Sequence, residues 1–327
     1  MNSKNIFRTE VDTFISINKL SHTDSFILLG SCFSNQMSKY FNNNCFSLLN
    51  PFGTIYNPIS LQQNFYNAIN KKIFKKSDLL KNGEIFLSWN HSGTYYNKYE
   101  NLLLKEINDE QQKIYQLIKK NATIIVTFGT SYIYELISNK KIVANCHKKS
   151  STIFNKRRLS VIEIVNSWRE ILKSIDNQVI FTVSPVRHIR EGLIESNLSK
   201  SILLLAVNEL CNEFDDQTHY FPSYELLMDE LRDYRFYDPD WIHPSKEATD
   251  FIWDKLSSQL FSNDTLLLIE EINKVRKNLA HQPKFGKNEE YLNFLNKTLN
   301  MILKIKGNTN NYDWSKEISY LKSNLKK

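Results

Sequence analysis

A loop late in the chain carries the clearest chemical signal. Segment 238–245 (DPDWIHPS) places Asp240 three positions before His243. A carboxylate at that spacing holds one imidazole nitrogen and leaves the other to take a proton from a nucleophile. The spacing alone is common, and a surface loop with an incidental pair is the alternative. Its position after the last predicted strand, with Pro244 and Ser245 as typical helix-start residues, favours a catalytic pair.

Candidate nucleophiles follow the first predicted strand, where Ser31 and Cys32 come directly after Gly30. Other polar residues follow the next strands in the same way. These are the segment 50–53 (NPFG), Thr130 and Ser131, and Arg187 and His188. Open α/β sheets build ligand sites at the carboxyl ends of their strands. Each residue alone can be read as a turn or a cap, but together they outline a site.

The elements that must position these residues are short apolar runs alternating with longer amphipathic ones. This alternation is typical of βαβ units around a parallel sheet, so the predicted fold class is α/β. Strands are predicted at Ser25–Gly30, Cys45–Asn50, Thr123–Gly129, Gln178–Ser184 and Thr218–Phe221. Helices are predicted at Asn35–Phe41, Ser60–Asn70, Asp109–Lys120, Ser160–Ile175, Leu198–Phe214 and Ser245–Phe261. The segment Glu84–Tyr96 is interpreted as a small hairpin outside the sheet.

Beyond Ser262 the sequence becomes rich in Lys and Asn. Two or three amphipathic helices are predicted there, broken at Gln282-Pro283 and Gly307-Asn308. We therefore expect a main domain over 1–262 and a helical C-terminal extension over 263–327. The extension carries no recognisable chemical motif, and we expect it to pack on the main domain or on a second subunit.

Several functional classes are disfavoured by composition and motifs. None of the eight glycines forms GxGxxG or GxxxxGK[ST], which argues against dinucleotide and P-loop nucleotide sites. The net charge is +7, but the lysines are scattered among acids without a basic stripe, so no nucleic-acid partner is expected. The four cysteines are too widely spaced for a metal knuckle. No run approaches the roughly 18 apolar residues of a membrane span, and the N-terminus lacks a signal-peptide core. The expectation is a soluble cytoplasmic protein without a cofactor.

Longer strings resemble a known family, the GSCFA proteins, which are placed among the SGNH hydrolases. The matching stretches, in order, are 29–34 (LGSCFS), 50–58 (NPFGTIYNP), 145–148 (NCHK), 182–188 (TVSPVRH), 224–237 (YELLMDELRDYRFY) and 240–245 (DWIHPS). The resemblance covers about residues 24 to 258. Ser34 stands where the family's name has alanine, a small-for-small change at a helix start.

The resemblance implies a three-layer SGNH (flavodoxin-like) fold with a five-stranded parallel sheet, and ester chemistry without a metal. In SGNH enzymes the first motif is Gly-Asp-Ser, which in this chain puts Cys32 rather than Ser31 in the nucleophile's position. A helix N-terminus and a nearby imidazole also favour a thiolate. Against this, serine is the usual nucleophile of the fold, and Cys32 can be read as a small buried apolar residue. Cys32 is preferred, and Ser31 remains open.

Family motifs also indicate an oxyanion hole built from the nucleophile's N–H and Gly53. The usual third donor is an asparagine, but Thr130 and Ser131 occupy its place, so one of their hydroxyls, or Asn57 or Asn145, is expected to donate instead. Substrate-binding residues are predicted at Asn57, Asn145, His147, Arg187 and His188.

Three functional hypotheses follow. The first is a metal-independent esterase or O-acyltransferase acting on an O-acylated carbohydrate or lipid. The second is a non-catalytic binding module that kept the pocket, motivated by the missing asparagine. The third is a metal-dependent hydrolase using His147, His188, Asp240 and His243, although their spacing matches no helix-borne ligand pair. The sequence predicts neither the acyl donor and acceptor nor the oligomeric state.

Overall fold

A central parallel sheet organises the chain. The computed structural model describes residues 9–283, 286, 288–309 and 311–325. In this part of the chain the strands are β1 Ser25–Gly30, β2 Ser47–Leu49, β3 Leu79–Asn82, β4 Ile85–Ser88, β5 Thr123–Phe128, β6 Tyr132–Leu136, β7 Ile142–Val143, β8 Phe154–Arg158, β9 Val179–Val183 and β10 Thr218–Tyr220. The main sheet has five strands in the order β10-β9-β5-β1-β2, all parallel. This is the doubly wound, flavodoxin-like order, and it confirms the predicted α/β fold.

The helices also largely follow the predicted pattern. They are α1 Cys32–Asn43, α2 Pro58–Ile69, α3 Glu100–Lys119, α4 Val161–Leu172, α5 Leu193–Glu213, α6 Ser223–Glu225, α7 Lys246–Leu260, α8 Asn263–Ala280, α9 Glu289–Ile305 and α10 Ser315–Leu325. The first helix begins three residues before its predicted start because Ser31 caps it. Helix α3 begins nine residues earlier than predicted, since Leu103 and Ile107 pack in a separate small core.

The sheet is covered on both faces, which explains the continuous apolar run of β5. Successive residues of a strand point to opposite faces. Phe26 and Leu28 of β1 pack with α1 and α7, whereas Ile27 and Leu29 pack with helices of the other layer, α2 to α5. The result is a three-layer helix–sheet–helix domain.

Two small antiparallel sheets decorate this domain. The predicted hairpin at Glu84–Tyr96 is wrong in its bounds, because β4 pairs along its length with the earlier strand β3, whereas beyond it Phe86 forms a single antiparallel bridge with Asn97. A three-stranded sheet of order β7-β6-β8 was not predicted from the sequence. Its strands are short, and the outer strand β8 reads FNKRR, so they lack the apolar runs on which the prediction depended.

The C-terminal extension consists of α8, α9 and α10, and its two breaks lie where the sequence predicted them. Its core includes Ile272, Leu295 and Trp314. The extension packs on the main domain, because Ile269 joins the core beside α1 and the Arg276 guanidinium donates to the Asn43 carbonyl at 3.3 Å. The first eight residues of the predicted 1–262 domain lie outside the described residues, and the boundary itself stays a prediction. Within the described residues, we find no helix with the length and apolarity needed to cross a bilayer.

Candidate active site

Cys32, His243 and Asp240 form one connected chain of contacts. The His243 Nδ1–H donates to Asp240 Oδ2 at 2.6 Å. Because an ionised carboxylate only accepts hydrogen bonds, this contact leaves Nε2 as the acceptor of the neutral ring. Cys32 Sγ lies 3.6 Å from that Nε2, so the thiol donates to it. The geometry is that of a nucleophile, a general base and a residue that orients the base.

Local backbone contacts hold the loop that carries this base. Asp240 Oδ1 accepts from the N–H groups of Ile242 at 2.9 Å and His243 at 3.0 Å. These two hydrogen bonds and the one from His243 Nδ1 hold the pKa of Asp240 down to about 2, with the backbone N–H of His243 as the largest cause. The base of the loop closes where Asp238 N–H donates to the His243 carbonyl and Ser245 N–H donates to the Phe236 carbonyl, both at 2.8 Å. The carboxylate therefore remains charged and fixes the ring.

Ser31 has a different role in the same turn. It is the N-cap of α1, is 1% exposed, and its Oγ accepts from the Phe33 N–H at 3.3 Å. Its Cβ faces Gly129, where an added Cβ would lie 3.1 Å away. Between the two candidates, His243 therefore contacts Cys32 and not Ser31, which agrees with the register inferred from the family motif.

The electrostatic surroundings of Cys32 act in both directions. Burial raises the pKa of the thiol above its ordinary value. The Lys200 ammonium and the backbone N–H groups of Phe33 and Cys32 lower the pKa, and Asp240 raises it slightly. The N–H groups come from the first turn of α1, whose donors have no acceptor within the helix. Position at the helix start thus offsets part of the cost of ionising a buried thiol.

Cys32 and His243 line a cleft of about 420 Å³ at the carboxyl ends of β1, β5 and β9. Its other lining residues are Ser31, Tyr56, Asn57, Gly129, Thr130, Tyr132, Tyr134, Val143, Ala144, Asn145, Cys146, Ser184, Val186, Arg187, His188, Arg190 and Ile242. Two guanidinium groups and three phenols are present, and no carboxylate is among these lining residues. The unpredicted sheet β7-β6-β8 supplies part of the wall, including Tyr132 and Tyr134.

Glycines are required where the loops approach each other. Gly30 has φ +135°, and an added Cβ would lie 2.1 Å from the Thr127 carbonyl oxygen on the neighbouring strand. At the end of β5, the N–H groups of Gly129 and Thr130 both donate to the Tyr56 carbonyl, at 2.8 and 3.0 Å. The loop after β2 therefore rests directly against the loop after β5, and together they form the cleft's floor.

The predicted oxyanion donors are placed less favourably than Cys32. An added Cβ at Gly53 would lie 2.2 Å from Ser92 Oγ, so this residue packs against Ser92, and it is not among the lining residues. The hydroxyls of Thr130 and Ser131 both contact Ser199 Oγ at 3.0 Å, and Ser131 is fully buried. The oxyanion roles of Gly53, Thr130 and Ser131 stay predictions that this arrangement does not favour.

The predicted substrate-binding residues are divided between the cleft and the core. Asn57 lines the cleft but caps α2, accepting from the Ser60 N–H at 2.8 Å. Asn145 lines the cleft and accepts from the His147 N–H at 2.7 Å. His147 itself is buried, with Nε2 2.8 Å from the Ser88 carbonyl oxygen, and does not line the cleft. The substrate-binding role of His147 stays a prediction that this buried position does not favour.

Arg187 and His188 lie where the sequence placed them, on the loop after β9. The Arg187 guanidinium stacks on the rings of Tyr237 at 4.2 Å and Tyr234 at 5.3 Å, and it separates the cleft from a second cavity. His188 Nδ1 lies 2.9 Å from Glu191 Oε2. Burial and the surrounding cations lower the pKa of His188, which favours a neutral ring at neutral pH.

Sequence reasoning missed one buried group behind the site. Lys200 on α5 is 2% exposed, and its ammonium donates to the carbonyls of Gly129 at 2.8 Å and Ser184 at 2.6 Å. A signal was present, because Lys200 occupies a buried stripe with Leu203 and Val207 at helical spacing. A lysine in such a stripe requires polar partners.

A metal site is not assembled from the four residues of the third hypothesis. In the described ranges, no group of three or more His, Cys, Asp or Glu side chains is placed to hold a metal ion. His147 contacts a backbone carbonyl and His188 contacts Glu191, whereas Asp240 and His243 contact each other.

Comparison with known proteins agrees with the motifs. The GSCFA family model matches residues 25–256, and a model described as the C-terminal domain of GSCFA domain proteins matches residues 272–327. No curated protein and no solved structure matches the chain. Since the first match alone spans more than half of the sequence, the chain belongs to the GSCFA family.

Proposed function

We propose that the protein is a hydrolase or acyltransferase that acts on an O-acyl ester through a covalent intermediate on Cys32. The observation that carries the proposal is the continuous contact from Cys32 Sγ through His243 to Asp240, with distances of 3.6 and 2.6 Å. The resemblance to SGNH hydrolases supports the same chemistry. No metal is needed in this scheme.

The steps follow from the contacts. His243 Nε2 takes the thiol proton, and the thiolate attacks the acyl carbonyl carbon of the ester. The resulting tetrahedral intermediate collapses when its bond to the alcohol oxygen breaks and His243 returns the proton to that oxygen. A thioester on Cys32 remains. Water or an acceptor hydroxyl, deprotonated by His243, then attacks the thioester and regenerates the thiol, giving hydrolysis or transfer respectively.

Negative charge on the intermediate's oxygen needs fixed donors. The Cys32 N–H is the first candidate because it lies in the opening turn of α1, where the helix dipole also favours an anion. The phenol of Tyr56 is the second. It lines the cleft, and its pKa is raised mainly by burial and to a smaller extent by a negative charge on Cys32, so the phenol lies within the electrostatic field of the thiolate.

The substrate class is inferred from the side chains that line the cleft. Guanidinium groups and phenols line the cleft without a carboxylate among the lining residues, which suits hydroxylated or acidic groups better than cationic ones. Arg190 is exposed at the rim, beside Arg187 and His188. An acylated carbohydrate fits these features, because aromatic faces and planar donors bind sugar rings and their hydroxyls. A lipid ester is the other candidate.

A panel of acyl esters and acyl-CoA donors, assayed with wild type and His243→Ala, tests the proposal. We expect turnover of at least one donor by wild type and a loss of at least about a hundredfold in His243→Ala, since the general base is removed. His281→Ala is the matched control, because that histidine is exposed in the extension and should leave turnover unchanged. Equal turnover in wild type and His243→Ala would reject the mechanism.

A non-catalytic binding module is the second candidate. It is favoured by the missing third oxyanion donor, since Thr130 and Ser131 are held by Ser199. Under this alternative, wild type would turn over no member of the panel, and iodoacetamide would label Cys32 no faster than the half-buried Cys211. Rapid labelling of Cys32 that depends on His243 would contradict it.

A further inference from the structure

The buried ammonium of Lys200 lies behind the cleft floor. It donates to the Gly129 carbonyl at 2.8 Å and the Ser184 carbonyl at 2.6 Å, joining the ends of β5 and β9. Both carbonyl-bearing residues line the cleft that contains Cys32. Lys200 itself lines the cavity on the other side of Arg187. The charge therefore lies behind two residues of the cleft that also contains the candidate nucleophile.

Tying two strand ends together does not require a charge. A neutral donor does the same nearby, where Ser223 Oγ donates to the Val183 carbonyl at 2.8 Å. Burying an ammonium is strongly unfavourable unless a counter-charge is present. No carboxylate of the described chain forms an ion pair with Lys200, and burial lowers the pKa of its ammonium to about 7. A negative charge on Cys32 acts in the opposite direction and raises that pKa.

The relation between the two groups is reciprocal. Lys200 is also the largest of the influences that lower the pKa of Cys32, ahead of the N–H groups of Phe33 and Cys32. A cation and a thiolate that each favour the other's charged form make up an electrostatic pair. The thiolate supplies the counter-charge that the buried ammonium otherwise lacks.

We propose that Lys200 is a positioning residue whose buried ammonium stabilises the thiolate of Cys32 from behind the strand ends at Gly129 and Ser184. The proposal rests on the proposed role of Cys32 for its meaning, but it concerns a thiol that can be measured without any substrate. The proposal also implies that the same charge stabilises the anion formed when the thiolate attacks an acyl group at the carboxyl ends of the strands.

Other charged and titratable groups lie around Lys200, and a test must separate their effects from that of Lys200. Cys32 lies on α1, and His188 is on the loop after β9. The charged and titratable groups that line the second cavity with Lys200 are Arg187, Tyr224, Asp229, Arg232, Asp233, Tyr234 and Tyr237. The Tyr224 ring is 5.9 Å from the ammonium. All of these remain in a Lys200 variant, but Lys200 also lowers the pKa of His188. Wild type and variant are therefore compared in a His188→Gln background, so that the effects of the remaining groups cancel in the ratio.

The test is the rate at which iodoacetamide alkylates Cys32 as a function of pH, followed by peptide mass spectrometry. Lys200→Met removes the charge and keeps an unbranched side chain of similar length. We expect Cys32 in wild type to react about tenfold faster than in Lys200→Met at pH near 6, which corresponds to about one pKa unit. The ratio should approach one above about pH 9, because Lys200 is neutral there and stabilises nothing.

Two controls separate charge from folding. The alkylation rate of Cys211, measured in the same samples, shows whether the Lys200 substitution changes the reactivity of cysteines other than Cys32. Ser223→Ala removes a buried neutral donor at the end of β9 and should leave the Cys32 profile unchanged. If Lys200→Met is too unstable to purify, Lys200→Gln is used, with circular dichroism confirming the fold.

Three results would overturn the proposal. The first is a ratio of alkylation rates, wild type to Lys200→Met, of one at pH 6, and the second is a ratio that is the same at every pH. The third is a decrease of the Cys32 alkylation rate in Ser223→Ala as large as that in Lys200→Met. The outcome is independent of the proposed function. A pH-dependent ratio in a protein that turns over no ester would support the Lys200–Cys32 pair and reject the enzyme. Ester turnover with a ratio of one at pH 6 would support the enzyme and reject the Lys200–Cys32 pair.

Discussion

Substituting Ser31 and Cys32 separately should give opposite results for stability and turnover. Ser31 caps α1 through Phe33, and its side chain is buried. Loss of an N-cap side chain costs about 1 kcal/mol, which in a domain of this size shifts the melting temperature by roughly 2–4 °C. Cys32 contacts His243 and makes no cap. Its loss should remove the covalent route while leaving the helix start intact.

The expected loss of kcat follows from the role of each residue in the covalent mechanism. Without a nucleophile, an enzyme keeps only what substrate binding and the oxyanion donors supply, so Cys32→Ala should lower kcat by at least about a thousandfold. Ser31→Ala should lower kcat by less than about tenfold, through a slight displacement of the first turn of α1. Cys211→Ala is the control for loss of a half-buried thiol away from the cleft.

Both quantities are measured on the same preparations, by thermal unfolding and by initial rates with the best ester of the panel. The reasoning would be refuted if Ser31→Ala abolished turnover with its melting temperature unchanged while Cys32→Ala remained active. That pattern would assign the nucleophile to Ser31.

Three other substitutions test the account elsewhere. Gly30→Ala should destabilise the protein by about 3 kcal/mol or more, because the new Cβ would overlap the Thr127 carbonyl and position 30 has a positive φ. Chemical denaturation measures the free energy of unfolding, and a loss below about 1 kcal/mol would contradict this reasoning. Asp240→Asn should lower kcat by roughly a hundredfold or more at neutral pH, because the amide cannot hold the same tautomer; unchanged kcat across the pH profile would count against the orienting role. Trp314→Ala should cost about 3–5 kcal/mol in the buried core of the extension. A separate early unfolding transition would show that 263–327 is its own unit, and a single one that it is not.

The main sheet was predictable because each strand is a short apolar run followed by a turn residue. The run 123–128 (TIIVTF) is buried on both faces, as its lack of alternation indicates. The nucleophile's neighbourhood was also accessible, since Cys32 and the 240–243 pair lie at the ends of elements that the pattern predicts. What joins them in space is the parallel order of the strands, which the motifs of the family indicated.

The cleft walls were less accessible to sequence reasoning. Strand β6 reads YIYEL and β8 reads FNKRR, and neither has the apolar content of a buried strand. They are held instead by pairing with each other, for example Tyr134 opposite Lys156. The contribution of Tyr132 and Tyr134 to the cleft depends on that long-range pairing, which no local pattern specifies.

The hydroxyls of Thr130 and Ser131 show a second limit. Their positions after β5 were predicted correctly, but their partner, Ser199, lies on α5 far along the chain. Sequence order therefore located these side chains at the strand ends without showing that Ser199 contacts both hydroxyls.

The most direct measurement is the position of an acyl group trapped on the protein. Wild type is incubated with p-nitrophenyl acetate, quenched in acid, digested, and mapped by mass spectrometry. The account predicts an acetyl group on Cys32 that neutral hydroxylamine removes, as it does from thioesters, and that is absent from His243→Ala. An acetyl group on Ser31, or ester turnover with Cys32 never acylated, would contradict it.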